Sequence, residues 1–272
     1  MNASSPSHID LQATAKQIMV AHGFQPDFPP EVAAQLAQLR AHPPAVAADK
    51  NVRDLRSLLW SSIDNDTSRD LDQIEVAERL PNGDVKVMVG IADVDAFASK
   101  QTPIDQHAAR ETTTVYAGVR NFPMLPEELS TGLTSLLENQ DRLSVVCEFV
   151  VAAAGGVTGG QLYRAIVRNK AQLQYNSLGA WLEGKSPAPA KVAVSSDLQT
   201  QLKLQDEVAQ QLKKQRFEQG ALSLQTDEVR PLMLNDQVVD VVHQEKNSAT
   251  ELIEDFMIAA NEIGRASCRE RV

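Results

Sequence analysis

Hairpins interleaved with helices predict an α+β fold, with mixed or antiparallel sheets and surrounding helices. Three observations carry that expectation. The first is the turn Leu80-Pro-Asn-Gly-Asp84 followed by alternating Val85, Val87, Val89 and Ile91. Asn-Gly tolerates the positive φ angles of a tight hairpin turn, and a period of two suits a strand with one buried face. The second is a pair of similar arrangements downstream, residues 143–152 with 160–167 around Ala154-Gly-Gly156, and residues 229–234 with 238–244 across Asn235-Asp236. The third is that helical periods separate the hairpins without the steady strand–helix alternation of a doubly wound parallel sheet; no repeat period occurs.

Taken in order, the chain opens with two helices. Residues 10–23 read as a helix with Asp10 as N-cap and Gly23 just past its end. Phe28-Pro-Pro30 breaks the chain, and residues 31–41 form a second helix with Val32, Leu36 and Leu39 on one face. A linker rich in Pro and Ala comes next, AHPPAVAADKN. The main domain is expected to start near Val52, with Leu55, Leu58, Leu59 and Trp60 as an apolar lead-in. Residues 61–72 read as a polar loop, and 73–79 with 85–94 as the first hairpin. Thr102-Pro103 opens a helix reaching about Thr113, since Pro suits a first turn. Residues 116–130 read as irregular, 175–183 as a short helix, and 195–219 as a long helix stopped by Gly220. Ser248-Ala-Thr-Glu251 reads as a capping box for a last helix with Leu252, Phe256 and Ala259 on one face.

The formal net charge of −10 argues against a protein that coats nucleic acid by bulk charge, but not against a locally basic channel. No run of about 18 apolar residues occurs, so no membrane span is expected. The N-terminus lacks the basic flank and apolar stretch of a signal peptide. Two cysteines, Cys147 and Cys268, make no disulfide framework, and no Cys/His cluster has zinc spacing. A reducing cytoplasm is the expected compartment.

The strongest chemical signal is SSIDNDTSRDLDQ, which carries Asp64, Asp66, Asp70 and Asp72. A loop directly before a hairpin lets several carboxylates converge. Converging carboxylates repel and raise one another's pKa unless a cation sits among them. Hard oxygen ligands suit Mg²⁺ or Mn²⁺ rather than zinc, and such a centre can activate water and stabilise a leaving oxygen in phosphodiester hydrolysis. Aspartate also favours turns and caps, so spacing alone leaves a solvated turn open. An EF-hand calcium loop does not fit, because its glycine and distal glutamate are absent.

Together with segments downstream of it, this loop resembles the catalytic domain of the ribonuclease II (RNB) family. That family carries I-D-x5-D-x-D-D, and here Ile63-Asp64 leads to Asp70 and Asp72. Ile91-Ala-Asp-Val94, Pro123-Met-Leu-Pro-Glu-Glu-Leu-Ser130, Asp141-Arg142, Lys170-Ala-Gln-Leu-Gln-Tyr175 and IEDFMIAAN fit in consistent order over about Val52 to Asn261. The resemblance implies a 3′→5′ exoribonuclease, with Mg²⁺ or Mn²⁺ as cofactor, that hydrolyses single-stranded RNA processively to nucleoside 5′-monophosphates; a monomer is expected. It implies Asp64, Asp70 and Asp72 as metal ligands, with Asp70 and Asp72 catalytic and Asp72 the residue on which the chemistry depends most. The next position is normally Asp and here is Gln73, whose amide oxygen brings no charge; Asp66 is a candidate substitute ligand.

On the RNA side the resemblance implies Tyr175 beside the 3′-terminal nucleotide and Tyr116 as an aromatic clamp on the stacked bases. Leu224 stands where the family's described members have Phe, and Glu254 matches a substrate-contacting acid. Gln73 and Leu224 also suit a non-catalytic RNA-binding relative. Read from the residues alone, either tyrosine can be a core residue with its hydroxyl satisfied. His107 reads as solvated on a polar helix, Arg142 as a packing or surface arginine, and Lys213-Lys214 with Arg216 as a solvated face.

The family's later catalytic arginine and glutamate, and its oligonucleotide-binding-fold domain, are expected downstream of this chain. The chain is therefore expected to be cut within its catalytic domain and to degrade RNA poorly by itself. The ending, Glu262 to Val272, resembles what a common sequencing adapter encodes in frame, and Gly264 is expected to interrupt the last helix. The expected organisation is a helical N-terminal element and linker over 1–50, a partial RNB catalytic domain over 51–261, and a non-native tail over 262–272.

Overall fold

Asp10 caps the first helix: its Oδ1 accepts a hydrogen bond from the Ala13 N–H at 2.9 Å. Gly23 comes after that helix at φ 88°, where a side chain would be strained. The computed structural model describes residues 10–44, 51–222, 229–234, 237–243 and 245–269. The turn Asn235-Asp236, most of the expected linker and Leu224 lie outside the described residues.

The described chain opens with α1 (Leu11–Ala21) and α2 (Pro30–Ala41), then β1 (Arg53–Asp54), β2 (Ser61–Asp64), β3 (Gln73–Arg79) and β4 (Val85–Ala92). Next come α3 (Pro103–Glu111), β5 (Val115–Tyr116), β6 (Asn121–Phe122), β7 (Asp141–Val151), β8 (Val157–Arg168) and β9 (Ala171–Gln174). The remainder is α4 (Tyr175–Leu182), α5 (Ala190–Ala193), α6 (Ser196–Glu218), β10 (Val229–Leu234), β11 (Gln237–His243) and α7 (Ser248–Arg269). These elements divide into two compact units whose segments interleave along the chain.

The first unit takes Met1–Pro44, Phe97–Glu128 and Thr226–Glu245. Val32 of α2 and Ile104 of α3 are buried in it. Polar side chains meet the backbone groups that packing would strand: Gln35 Oε1 accepts from the Ile104 N–H at 2.9 Å, and Glu111 accepts from the Gln25 N–H at 2.9 Å. His107 is not solvated. It is 5% exposed and tilted against Phe28 with ring centroids 4.4 Å apart, and burial lowers its pKa. The sequence of α3 is polar overall, but tertiary packing turns the face bearing Ile104, His107, Ala108 and Glu111 inward. β10 and β11 form the expected antiparallel pair.

The second unit takes Ala45–Ala96, Leu129–Gln225 and Lys246–Val272. Its described residues build a seven-stranded sheet in the order β1-β8-β7-β4-β3-β2-β9. The interior pairings are antiparallel, while β1–β8 and β2–β9 at the two edges are parallel. This is the mixed α+β architecture that the hairpin signals implied. One face packs against α4, α6 and α7 through Ile63, Val87, Val89, Leu178, Leu202 and Phe256. The other buries Trp60, Leu71, Ile74, Val76 and Met88. Among the described residues no helix is long and apolar enough to cross a membrane.

Four local expectations need correction. Ser61 to Asp64 is strand β2, not loop, because β9, more than 100 residues away in sequence, supplies a parallel partner. The cap of α7 is Asn247, not Ser248. Asn247 Oδ1 accepts from the Ala249 and Thr250 N–H groups at 3.0 and 3.1 Å, and Thr250 Oγ1 accepts from the Asn247 N–H at 2.9 Å. Helix α7 runs through Gly264 to Arg269. A helical Gly costs roughly 1 kcal/mol relative to Ala, too little to end a helix whose Ile263 still packs on the core. Finally, Lys213 and Arg216 face a neighbour rather than water alone, with ion pairs to Glu251 (2.6 Å) and Asp255 (2.7 Å) of α7.

Candidate functional site

The site is built from the end of β2. Parallel pairing with β9 runs from Ser61 opposite Ala171 to Asp64 opposite Gln174, and Tyr175 comes at once as the first residue of α4. Strand register thus brings Tyr175 to the base of the aspartate loop. From Asp64 the chain loops back to β3, held by backbone bonds from a distant segment. Ser135 Oγ donates to the Arg69 carbonyl at 2.8 Å and accepts from the Leu71 N–H at 3.0 Å; the Leu136 N–H donates to the Leu71 carbonyl at 2.9 Å. Arg142 in turn fastens the Ser135 and Gly132 carbonyls at 2.8 and 3.0 Å, so its guanidinium has a packing role.

Asp64 is half-buried, and its Oδ1 accepts from the Asn65 N–H at 2.7 Å and Ser68 Oγ at 2.9 Å. Burial, reinforced by the charge of Asp70, raises its pKa against the pull of those two bonds. Asp72 is accessible to water, yet lost hydration, with the charges of Asp64 and Asp70 next in weight, pushes its carboxyl up to about 6. Asp70 is half-buried and Asp66 exposed on the same loop.

Gln73 is buried, and its Nε2 donates to the Ile63 carbonyl at 3.3 Å, drawing the amide toward the β2 backbone. Tyr175 is half-buried. Burial, then the charges of Asp64, Glu75 and Asp72, raise its pKa, so its hydroxyl keeps its proton as a hydrogen-bond donor. Glu75 was not among the residues singled out from sequence. It is fully buried on β3, and burial with the charges of Asp72 and Asp64 holds its pKa well above the carboxylate range. Its signal was faint, because Gln73, Glu75 and Ala77 alternate with Ile74 and Val76 and read as the solvent face of a one-sided strand.

The structure therefore brings Asp64, Asp70, Asp72, Tyr175 and Glu75 into one electrostatic neighbourhood. The charges acting on Asp64, Asp72 and Glu75 are all negative. Among the described residues, no three acidic or imidazole side chains already stand close enough to clasp a metal ion. The donor chemistry nonetheless fits a hard divalent cation: every ligand type is oxygen, and both oxygens of Glu75 have no hydrogen-bond partner. Of the other expected residues, Glu254 is exposed on α7 and paired with Lys246 Nζ at 2.7 Å. Tyr116 belongs to the first unit, 64% exposed on the β5–β6 hairpin.

Residues 52–271 match the RNB domain family. Ribonuclease R of Escherichia coli (strain K12) is 34% identical over 235 residues, covering 86% of this chain and 28% of that protein. Ribonuclease R of Thermotoga maritima is 33% identical over 240 residues, covering 87% of this chain and 33% of that protein. Among solved structures, Mycoplasma genitalium RNase R in complex with ribose methylated single-stranded RNA is similar with a TM-score of 0.84 and 26% identity, over 93% of this chain and 39% of that one. The chain spans about a third of the length of the curated relatives it matches.

Proposed function

The chain belongs to the RNB domain family, and from that membership we propose that it carries the acidic side of the active site of a hydrolytic 3′→5′ exoribonuclease. The substrate is single-stranded RNA and the product nucleoside 5′-monophosphates. One observation supports this reading above the rest: the β2–β9 register sets Tyr175 beside the end of β2, where the carboxylates of Asp64 and Asp72 act on it and on each other.

Asp64, Asp70 and Asp72 are the residues that would hold Mg²⁺ or Mn²⁺, with Asp66 and Gln73 as further oxygen donors. The chemistry supplied by such a cation is activation of the attacking water and neutralisation of charge on the scissile phosphate. Asp72, accessible to water, is the carboxylate best placed to meet an incoming phosphodiester. Tyr175 orients the 3′-terminal nucleotide through its ring and protonated hydroxyl, and Tyr116 offers an exposed aromatic face on which bases can stack irrespective of sequence. Leu224 and Glu254 complete the proposed RNA contacts. Residues 51–261 form the catalytic portion in this reading, and residues 1–50 an accessory element.

The test is Asp72→Asn in the whole gene product, with labelled, 3′-tailed single-stranded RNA. Release of mononucleotides is expected to fall by about 10³-fold or more, with RNA affinity nearly unchanged. Wild-type hydrolysis by that variant overturns the assignment. A second reading, a non-catalytic RNA-binding relative, is favoured by Gln73, whose uncharged amide is committed to the Ile63 carbonyl. It expects RNA affinity without Mg²⁺- or Mn²⁺-dependent turnover in the same assay.

A further inference from the structure

Glu75 lies in the middle of β3, 0% exposed, and neither carboxylate oxygen has a hydrogen-bond partner. Its cross-strand neighbours are Val89 on β4 and Ser61 on β2. Ser61 is also 0% exposed, with an unpartnered hydroxyl. Cross-strand partners hold their Cβ atoms about 5 Å apart, so two unsatisfied polar groups stand side by side on a largely apolar face. Burying a carboxyl with no partner is among the least favourable things a fold can do, and an aliphatic side chain would fill this place better. A residue kept against stability asks for a role.

Register sets Glu75 near the aspartate loop: it pairs with Ser61 on β2, the strand that ends at Asp64, and β3 itself begins directly after Asp72. The charges bearing on it are those of Asp72 and Asp64. Tyr175 feels Glu75 together with the same two aspartates. Gln73, its nearest same-face neighbour toward the loop, carries no charge and has its amide turned to the Ile63 carbonyl.

We propose that Glu75 is a member of the acidic centre: a carboxylate held in reserve beneath the loop, which supplies the negative charge that position 73 lacks and joins Asp64 and Asp72 when a divalent cation enters. The inference rests on the cation-binding reading of the aspartate loop. The competing explanation is a closed polar nest with Ser61 and with Gln205 of α6, which is likewise 0% exposed with both amide atoms unpartnered.

Mn²⁺ titration of the 272-residue chain, followed by the electron paramagnetic resonance of free Mn²⁺, separates the two. Circular dichroism and thermal unfolding of each variant report folding. Glu75→Gln keeps shape and loses charge, and is expected to weaken Mn²⁺ binding by about tenfold or more. Glu75→Leu is expected to raise the metal-free unfolding midpoint while binding Mn²⁺ as weakly. Moving the charge back, Gln73→Asp with Glu75→Gln, is expected to restore most of the affinity. Mn²⁺ binding by Glu75→Gln within about twofold of wild type overturns this inference alone and favours the polar nest. Failure of the wild-type chain to bind Mn²⁺ overturns the cation reading and this inference with it.

Discussion

Asp72 and Tyr175 differ in how they can be read and in how they can be tested. Asp72 announces itself by spacing, and lost hydration with the neighbouring carboxylates raises its pKa. Tyr175 is inconspicuous until β9 aligns with β2. If its ring carries a terminal base, Tyr175→Ala should weaken single-stranded RNA binding by about 1–3 kcal/mol, and Tyr175→Phe should leave it nearly intact. Fluorescence anisotropy with a short labelled RNA measures both; equal losses in the two variants would assign the contribution to the hydroxyl instead. Gln73 and Glu75 show the limit of local reading. Both look like solvent-face residues of an amphipathic strand, yet helices cover that face and both are buried.

At the scale of elements, the seams around α7 invite two experiments. Gly179 of α4 leaves room for the Asn247 cap, since a Cβ there would stand 2.4 Å from Asn247 Oδ1. Helix propensity alone favours Gly179→Ala by about 1 kcal/mol, but the clash displaces a cap worth about as much and strains the packing. A net loss of about 1–3 kcal/mol in urea unfolding is expected, and a gain would show that α4 and α7 can separate at little cost. Asp255, 4% exposed, lies 2.7 Å from Arg216 Nη2, yet its Oδ1 makes no aligned hydrogen bond. The distance establishes proximity, and the misalignment explains why attraction does not offset burial. Burial leads, Arg216 and Lys213 oppose it, Glu254 and Glu251 add to it, and the carboxyl is pushed up to about 6.

That direction sets the sign of the pH dependence. An acid whose folded pKa is raised favours the folded state while it is protonated, and that advantage is lost as pH climbs from about 4 through about 6. At about 1.4 kcal/mol per unit the loss is at most about 3 kcal/mol. The stability of Asp255→Asn minus that of wild type should therefore grow by up to that amount between about pH 4 and about pH 7. A difference independent of pH would mean that Asp255 titrates normally.

At the scale of the whole molecule, the helix-covered face of the sheet carries the second unit. Phe256 is fully buried there with residues of β2, β3, β4, β7, α4 and α6. Phe256→Ala is expected to cost about 3–5 kcal/mol and to lower the thermal midpoint of that unit. A cost under about 1 kcal/mol would mean that α7 is peripheral.

The amino-acid sequence by itself determined the α+β class, the hairpins, the positions of the long helices, the Asp10 and Gly23 boundaries, and the aspartate loop as the proposed chemical centre. These depend on near-neighbour physics: turn geometry, capping and side-chain periodicity act over a few residues. Only tertiary structure decided that Ser61 to Asp64 is a strand, that Tyr175 stands beside the loop, that His107 and Glu75 are buried, and that α7 passes through Gly264. Each of those depends on a partner far along the chain, and a periodic pattern records which face differs but not whether another layer covers it.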